Sequence, residues 1–578
     1  MTSEPAGTPA AVELRALADT FWEGYLRAHP TFATIMGDRR FDDRLDDLSP
    51  VARTAEIARL DATVEAARAI DPSDLAGRDR VTRSMLIEEV EGQLGALGTG
   101  VDEWSLDPIH GPQSWLIDLV DYQPVATVEE GRAMIARWRA TGVHLDQAIE
   151  GLRRAMARGQ VASIVPVERV ADELRGLVAT PAAEWRLASP SGEAHEDWPP
   201  AELETFRTDL RAAVADVVVP AFARYLEVLE TEIVPSARPS ERPGIVHVPG
   251  GEAAYRALIR THTTLDLDPA EVHEQGLVEI EELDHAFADL GAKVLGAHGL
   301  EATLGALRGD PALRFSTAEE VFATARDTLA RAQAAIPYWF GRLPMAACEV
   351  VPIPSETEAH QTLAYYAWPA LDGSRPGRYY INLSAPETRP RYEAEALAFH
   401  EAVPGHHLQI AIAQELDGLP AFQRALGSSA FAEGWGLYTE RLADEMGLYT
   451  SDLDRFGILS FDAWRACRLV VDTGMHALGW TRDDAIDFMR AHTALGDNNI
   501  ANEVDRYIAW PGQALAYKIG QREILRLRAL AESRLGDRFD IRAFHDTILG
   551  SGAVGLATLA GIVDDWLAAE LATPEAPG

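Results

Sequence analysis

Between residues 51 and 71 the chain reads VARTAEIARLDATVEAARAID. Apolar side chains recur every three to four positions and charged ones fill the rest, which predicts an amphipathic helix. The stretches 128–160 and 203–233 follow the same pattern, and Asp, Ser and Thr mark helix starts, as in SDLAGRDRVTRSMLIEEVEGQL. Two segments break the period: ATPAAEWRLASPSGEAHEDWPPAE (179–202) and VPSARPSERPGIVHVPGG (234–251). Both are rich in Pro and small or polar residues and read as loops. The second is the expected boundary between a helical half, 1–240, forming one wall or lid of a cleft, and a catalytic half, 241–578. No internal repeat is visible.

The later half is also helical, with one exception. Within 356–386, HQTLAYYAW and GRYYINLS alternate like strands around the turn segment ALDGSRP, which predicts a β-hairpin. An extended peptide could add to such a sheet as a further strand. Tyr365 and Tyr380 are the substrate contacts it would offer.

Composition narrows the partners. The 578 residues are 47% hydrophobic, enough for a large core, and the net charge of −38 opposes binding to nucleic acid or an anionic membrane. The positive charge is almost all arginine; the lysines are Lys293 and Lys518. Two cysteines, Cys348 and Cys467, are too few for a disulfide framework. The N-terminal residues lack a basic start followed by an apolar run, so a cytoplasmic location is expected. Residues 549–563 are too short and glycine-rich to span a bilayer.

Chemistry concentrates at HEAVPGHH (400–407). Two histidines four apart on a helix can share a zinc ion, because i and i+4 lie on one face. Here the i+4 position is Pro404, and the histidines follow at 406 and 407. On a straight helix residue 406 points away, and residue 407 lies about 10 Å along the axis. Pro404 has no N–H for the carbonyl of His400 and its ring clashes there. With Gly405 it encodes a kink. A bulge absorbing two residues would return His406 to the metal; one absorbing three would return His407. His406 is the favoured ligand, leaving His407 for support or substrate contact.

A hydrolytic site with two histidines takes an acidic third ligand and leaves a position for water. SSAFAEGWGLYTERLADEMG (428–447) reads as a Ser-capped helix with Glu433 among bulky apolar residues, and an acid there needs a partner. Glu440, two turns on, could hydrogen-bond a ligand histidine.

The pair HEAVPGHHLQ and FAEGWGLYTERL resembles the bacterial domain-of-unknown-function family 885, with its HExxPGHH signature. The likeness runs nearly end to end, through 29–50, 110–119, 249–277 and 506–546. That family is distantly similar to helical zinc peptidases such as angiotensin-converting enzyme, thimet oligopeptidase and the helical zinc carboxypeptidases. The resemblance implies one zinc on His400, His406 and Glu433, with Glu401 as general base. It also implies a mainly helical ellipsoid split by a deep cleft, with a small sheet at the active site. The two extra residues of HEAVPGHH depart from the pattern of those peptidases and leave the second histidine ligand open. A late tyrosine stabilises the oxyanion in such enzymes; Tyr507 and Tyr517 are the candidates here.

Arg506, Lys518 and His545 are candidates to hold a substrate carboxylate, and Trp435 and Trp510 to line the cleft. The expected activity is zinc-dependent hydrolysis of peptide or amide bonds. A small-molecule amide hydrolase is the alternative within that class, and a non-catalytic zinc- or peptide-binding protein the alternative outside it. Retention of Glu401 favours an enzyme.

Overall fold

A computed structural model describes residues 8–353, 362–371, 373 and 375–573. The fold is mainly α, with 72% helix and 4% strand. The predicted helices are present as Pro50–Ala69, Val128–Ala157 and Pro200–Ala213. Local chemistry starts them. The Ser49 hydroxyl accepts from the Ala52 N–H, and Thr127 and Glu130 form a reciprocal capping box. The 203–233 stretch holds two π-helical turns the periodicity does not reveal, Val214–Val218 and Leu229–Ile233. Each lies just before a proline, Pro220 or Pro235. A proline ring pushes away the carbonyl four residues back, and a wider turn accommodates it.

One apolar core runs from Ala11 to Leu567 through both halves of the chain, and a second gathers Ile280 to Ala514. The segment 234–251 is loop and single 3-10 turns, yet it is packed into the later half. The Ile245 N–H donates to His476 Nδ1 (3.0 Å), and a Cβ on Gly244 would lie 1.7 Å from the Met475 carbonyl oxygen. Thr82 reaches Gln423 (2.7 Å) and Arg169 pairs with Asp505 (2.8 Å), so polar contacts also tie the two halves together.

The sheet has three strands, β1 (Cys348–Pro352), β2 (Ala364–Ala367) and β3 (Gly377–Ile381), in the order β1-β3-β2. β2 and β3 are the antiparallel pair read from sequence, with Tyr365 opposite Tyr380 and Tyr366 opposite Tyr379. β1 joins β3 in parallel and was not foreseen. Residues 354–361, including His360 and Gln361 of the first predicted run, lie outside the described residues, as do Asp372 and Ser374 of the turn. Alternation along the strands separates two faces. Gly377 and Tyr379 pack toward His407; Tyr365 and Tyr380 stack on the other face, their rings 4.8 Å apart.

No described helix is long and apolar enough to cross a membrane.

Candidate metal centre

HEAVPGHH folds as two helices, Ala394–Glu401 and His406–Gln414, separated by the turn 402–405 with a cis Val403–Pro404 bond. Three hydrogen bonds hold the turn. The Ala402 N–H closes the first helix on Ala398 (2.9 Å), and the His407 N–H donates back to the Ala402 carbonyl (3.0 Å). Trp435 Nε1 donates to the Pro404 carbonyl (2.9 Å). Gly405 is required sterically: a Cβ there would lie 1.9 Å from the His400 carbonyl oxygen and 2.4 Å from that of Phe399.

The turn brings His406 beside His400, with ring centroids 4.7 Å apart and planes at 84°. Glu433 comes from helix Ser429–Glu445, whose first turn Ser428 caps. Its Oε2 lies 3.5 Å from His400 Nε2 and 3.4 Å from His406 Nε2. One ligand atom from each of the three residues falls within 4.8 Å of the others, the only such triad among the described residues. Two glycines of A-E-G-W-G permit this. A Cβ on Gly436 would lie 2.7 Å from His400 Cε1. Gly434 meets Gly520 of helix Ala516–Leu535, where a Cβ would lie 2.4 Å from the Gly520 carbonyl carbon.

The surroundings orient the ligands. His400 Nδ1 donates to Glu440 Oε1 (2.8 Å), which turns the Nε2 lone pair toward Glu433 and His406. Burial alone would lower the His400 imidazole; Glu433 and Glu440 outweigh it and raise it to about 9. Burial pushes the Glu433 carboxyl up, but His400 and His406 hold it well below the usual carboxylate range. The carboxylates thus favour positive charge between them. Glu433 Oε2 is buried without a hydrogen-bond partner, which suits a metal ligand. Glu433 and His406 retain 21% and 12% side-chain exposure, so the cluster is reachable from solvent.

His407 takes another role. Its Nε2 donates to the Ala346 carbonyl (3.1 Å) and its Nδ1 accepts from the Tyr366 hydroxyl (2.9 Å). Both nitrogens are engaged, and burial lowers the ring to about 4. A neutral His407 fastens the motif to the sheet.

The two candidate tyrosines separate. Tyr517 stacks on His400, ring centroids 6.5 Å apart at 17°. The Tyr507 hydroxyl accepts from Trp464 Nε1 (3.0 Å) and Arg468 Nε (2.8 Å) and donates to Glu503 (2.7 Å), so it is fully committed. Burial raises Glu401, against the opposing pull of His406 and His400.

The residues read as carboxylate holders are mostly engaged elsewhere. Lys518 is buried between Asp462 and Glu279. His545 lies in the core, donating to the Trp339 carbonyl and accepting from Tyr438. Arg506 donates to Gln513 (2.6 Å) and pairs with Glu503 (3.4 Å). Tyr365 and Tyr380 lie on the sheet face turned away from the motif. Trp435 is wholly buried, and Trp510 packs between His110 and His262. Sequence reading missed Arg465 and Arg468, two buried arginines beside Tyr517. The available signal was their i, i+3 spacing within the otherwise apolar run AWRACRLVV.

Comparison with known proteins agrees with this description of the fold. The structure superposes on one described as a "putative lipoprotein" from Colwellia psychrerythraea with a TM-score of 0.90, at 27% identity, covering 97% of this chain and 100% of that one. A "putative lipoprotein of unknown function" from Shewanella oneidensis gives a TM-score of 0.74 at 16% identity, covering 95% and 99%; at that identity the likeness is one of fold. No curated protein matches. The profile of DUF885, described as a bacterial protein of unknown function, matches residues 30–563, and the chain belongs to that family.

Proposed function

We propose that the protein is a zinc-dependent hydrolase of peptide or amide bonds. The observation that carries this reading is the convergence of His400 Nε2, His406 Nε2 and Glu433 Oε2, with His400 oriented from behind by Glu440. Two imidazoles and one carboxylate are the donor set of a hydrolytic zinc site that keeps a position free. The unpartnered buried Oε2 of Glu433 fits it. Zinc held there would supply Lewis acidity, easing ionisation of water and polarising a carbonyl.

The chain's own residues then divide the work. Glu401, next to ligand His400, takes a proton from the attacking water as its oxygen adds to the carbonyl carbon. It returns that proton to the nitrogen as the C–N bond breaks, giving an acid and an amine. Tyr517, stacked on His400, is the oxyanion donor in this reading. The substrate in this reading is a peptide or a small amide, and the net charge of −38 argues against nucleic acid. The two unpaired cysteines favour the cytoplasm. The description of both solved relatives as lipoproteins favours the cell envelope instead. Cell fractionation decides between them.

Metal analysis of the purified protein tests the site. One zinc per chain is expected, lost in His406→Ala and kept in His407→Ala. Glu401→Gln should keep zinc and lose about 10²–10⁴-fold in turnover on a peptide library. Stoichiometric zinc in His406→Ala, or undiminished turnover in Glu401→Gln, would overturn the proposal.

A further inference from the structure

Helix Arg455–His476 is buried along most of its length, as its apolar sequence requires, yet it carries Arg465 and Arg468 on one face. Arg465 is 4% exposed. Among the described residues no carboxylate lies within ion-pair distance of it, and its Nε and Nη1 are buried without a hydrogen-bond partner. Its guanidinium lies against three aromatic faces, Trp464 at 4.3 Å, Phe461 at 4.6 Å and Tyr517 at 5.7 Å. Arg468 is half satisfied. Its Nε donates to Tyr507 and its Nη2 pairs with Glu503 (2.9 Å), but its Nη1 is buried and unpartnered, and its guanidinium lies 4.2 Å from the Tyr517 ring.

Among the described residues, no nearby carboxylate is hydrogen-bonded to Arg465. Glu503 is shared between Arg468 and Arg506, and none of its oxygens reaches Arg465. Asp472 feels Arg468 and Arg506, but it is held by the Tyr255 hydroxyl and the Gly512 N–H, and burial raises it to about 7. Glu393 accepts from Ser460 (2.6 Å) and feels Arg465 only through space. Glu401 acts on Arg465 only through space. Burying guanidinium N–H groups without hydrogen-bond partners is costly.

We infer that Arg465, assisted by Arg468, forms an anion pocket beside the metal cluster that receives the free carboxylate of the substrate. A carboxylate matches the guanidinium fork and supplies the missing partner. The pocket is close to the chemistry. Arg465 contacts Tyr517, and Tyr517 stacks on His400, so the guanidinium carbon lies no more than about 12 Å from the His400 ring. At about 3.5 Å per extended residue that spans at most about three residues. The inference rests on the hydrolase reading and narrows it: the substrate is a peptide or N-acyl amino acid with a free carboxyl end, cleaved within its last few residues.

The test pairs N-benzoyl di-, tri- and tetrapeptides with their C-terminal carboxamides. Each is titrated into the zinc-loaded protein by calorimetry and its hydrolysis followed by mass spectrometry. Free acids should bind at least about 10-fold more tightly than carboxamides. Arg465→Gln should erase that preference with zinc content unchanged; Arg465→Lys should keep part of it. Equal binding of acids and carboxamides by the wild type overturns the inference, as does a preference that survives in Arg465→Gln. Should Arg465→Gln not fold, the wild-type comparison and Arg465→Lys still decide. An Arg465-dependent preference without hydrolysis sinks the hydrolase reading and leaves the pocket standing. Hydrolysis indifferent to the carboxyl group does the reverse.

Discussion

His400 Nδ1 stands 2.8 Å from Glu440 Oε1, both side chains almost wholly buried, while the opposite nitrogen of the same ring faces Glu433. The carboxylate fixes the tautomer and aims the free lone pair. Replacing Glu440 with Gln keeps the shape and weakens that control. Zinc affinity should fall about 10–100-fold while helical content stays unchanged. Competition with a fluorescent chelator, alongside circular dichroism, measures both.

Gly405 is a second point of control, because any Cβ there meets the His400 carbonyl. Gly405→Ala should destabilise the protein by about 1–3 kcal/mol and reduce zinc content by displacing His406. Thermal melting with metal analysis checks it. Gly244→Ala, whose Cβ would lie 1.7 Å from the Met475 carbonyl oxygen and which is far from the cluster in sequence, is the control expected to cost stability while sparing zinc.

Tyr517 and Tyr507 should respond in opposite ways. Tyr517→Phe is expected to lower turnover by about 10²–10³-fold with stability held, as for loss of an oxyanion donor. Tyr507→Phe removes a hydroxyl shared by Trp464, Arg468 and Glu503, and should lower stability by about 1–3 kcal/mol. Steady-state kinetics and urea denaturation separate the two. Equal catalytic losses would refute the assignment.

Asp462 is a purely structural prediction. Burial pushes its carboxyl up, but Lys518 and Arg441 outweigh burial and hold it at about 2. A depressed carboxylate contributes stability that is present above the ordinary Asp value of 3.8 and is lost as pH falls toward 2. Asp462→Asn leaves Lys518 buried with Glu279 as its only charged partner among the described residues and should cost about 3–5 kcal/mol at pH 7. The gap to wild type should narrow between pH 4 and pH 2. Urea titrations across that range provide the measurement, and a gap that does not change with pH would contradict the prediction.

Local signals carried much of this protein. The 3.6-residue period marked Pro50–Ala69 and Val128–Ala157. Alternation marked β2 and β3. Pro404 and Gly405 announced the break in the motif helix, because a missing N–H and a missing Cβ act on their nearest neighbours. β1 escaped notice because five residues give too short a period and its parallel partner begins 29 positions later.

The sequence by itself determined that the chain is mainly helical, that its motif helix must break, and that His400, His406, His407, Glu433 and Glu440 were the residues to watch. Only the tertiary structure decided among them. His406 turns to Glu433, while His407 spends both ring nitrogens on Ala346 and Tyr366, residues far away in the chain. Tyr517 lies on His400, whereas Tyr507 is tied into a network of Trp464, Arg468 and Glu503. Lys518 is consumed by Asp462 and Glu279, while Arg465 Nε and Nη1 find no hydrogen-bond partner among the described residues. The physical reason is the same in each case. A side chain's type is written in the sequence, but whether its polar atoms are free depends on which distant groups packing brings within about 3 Å.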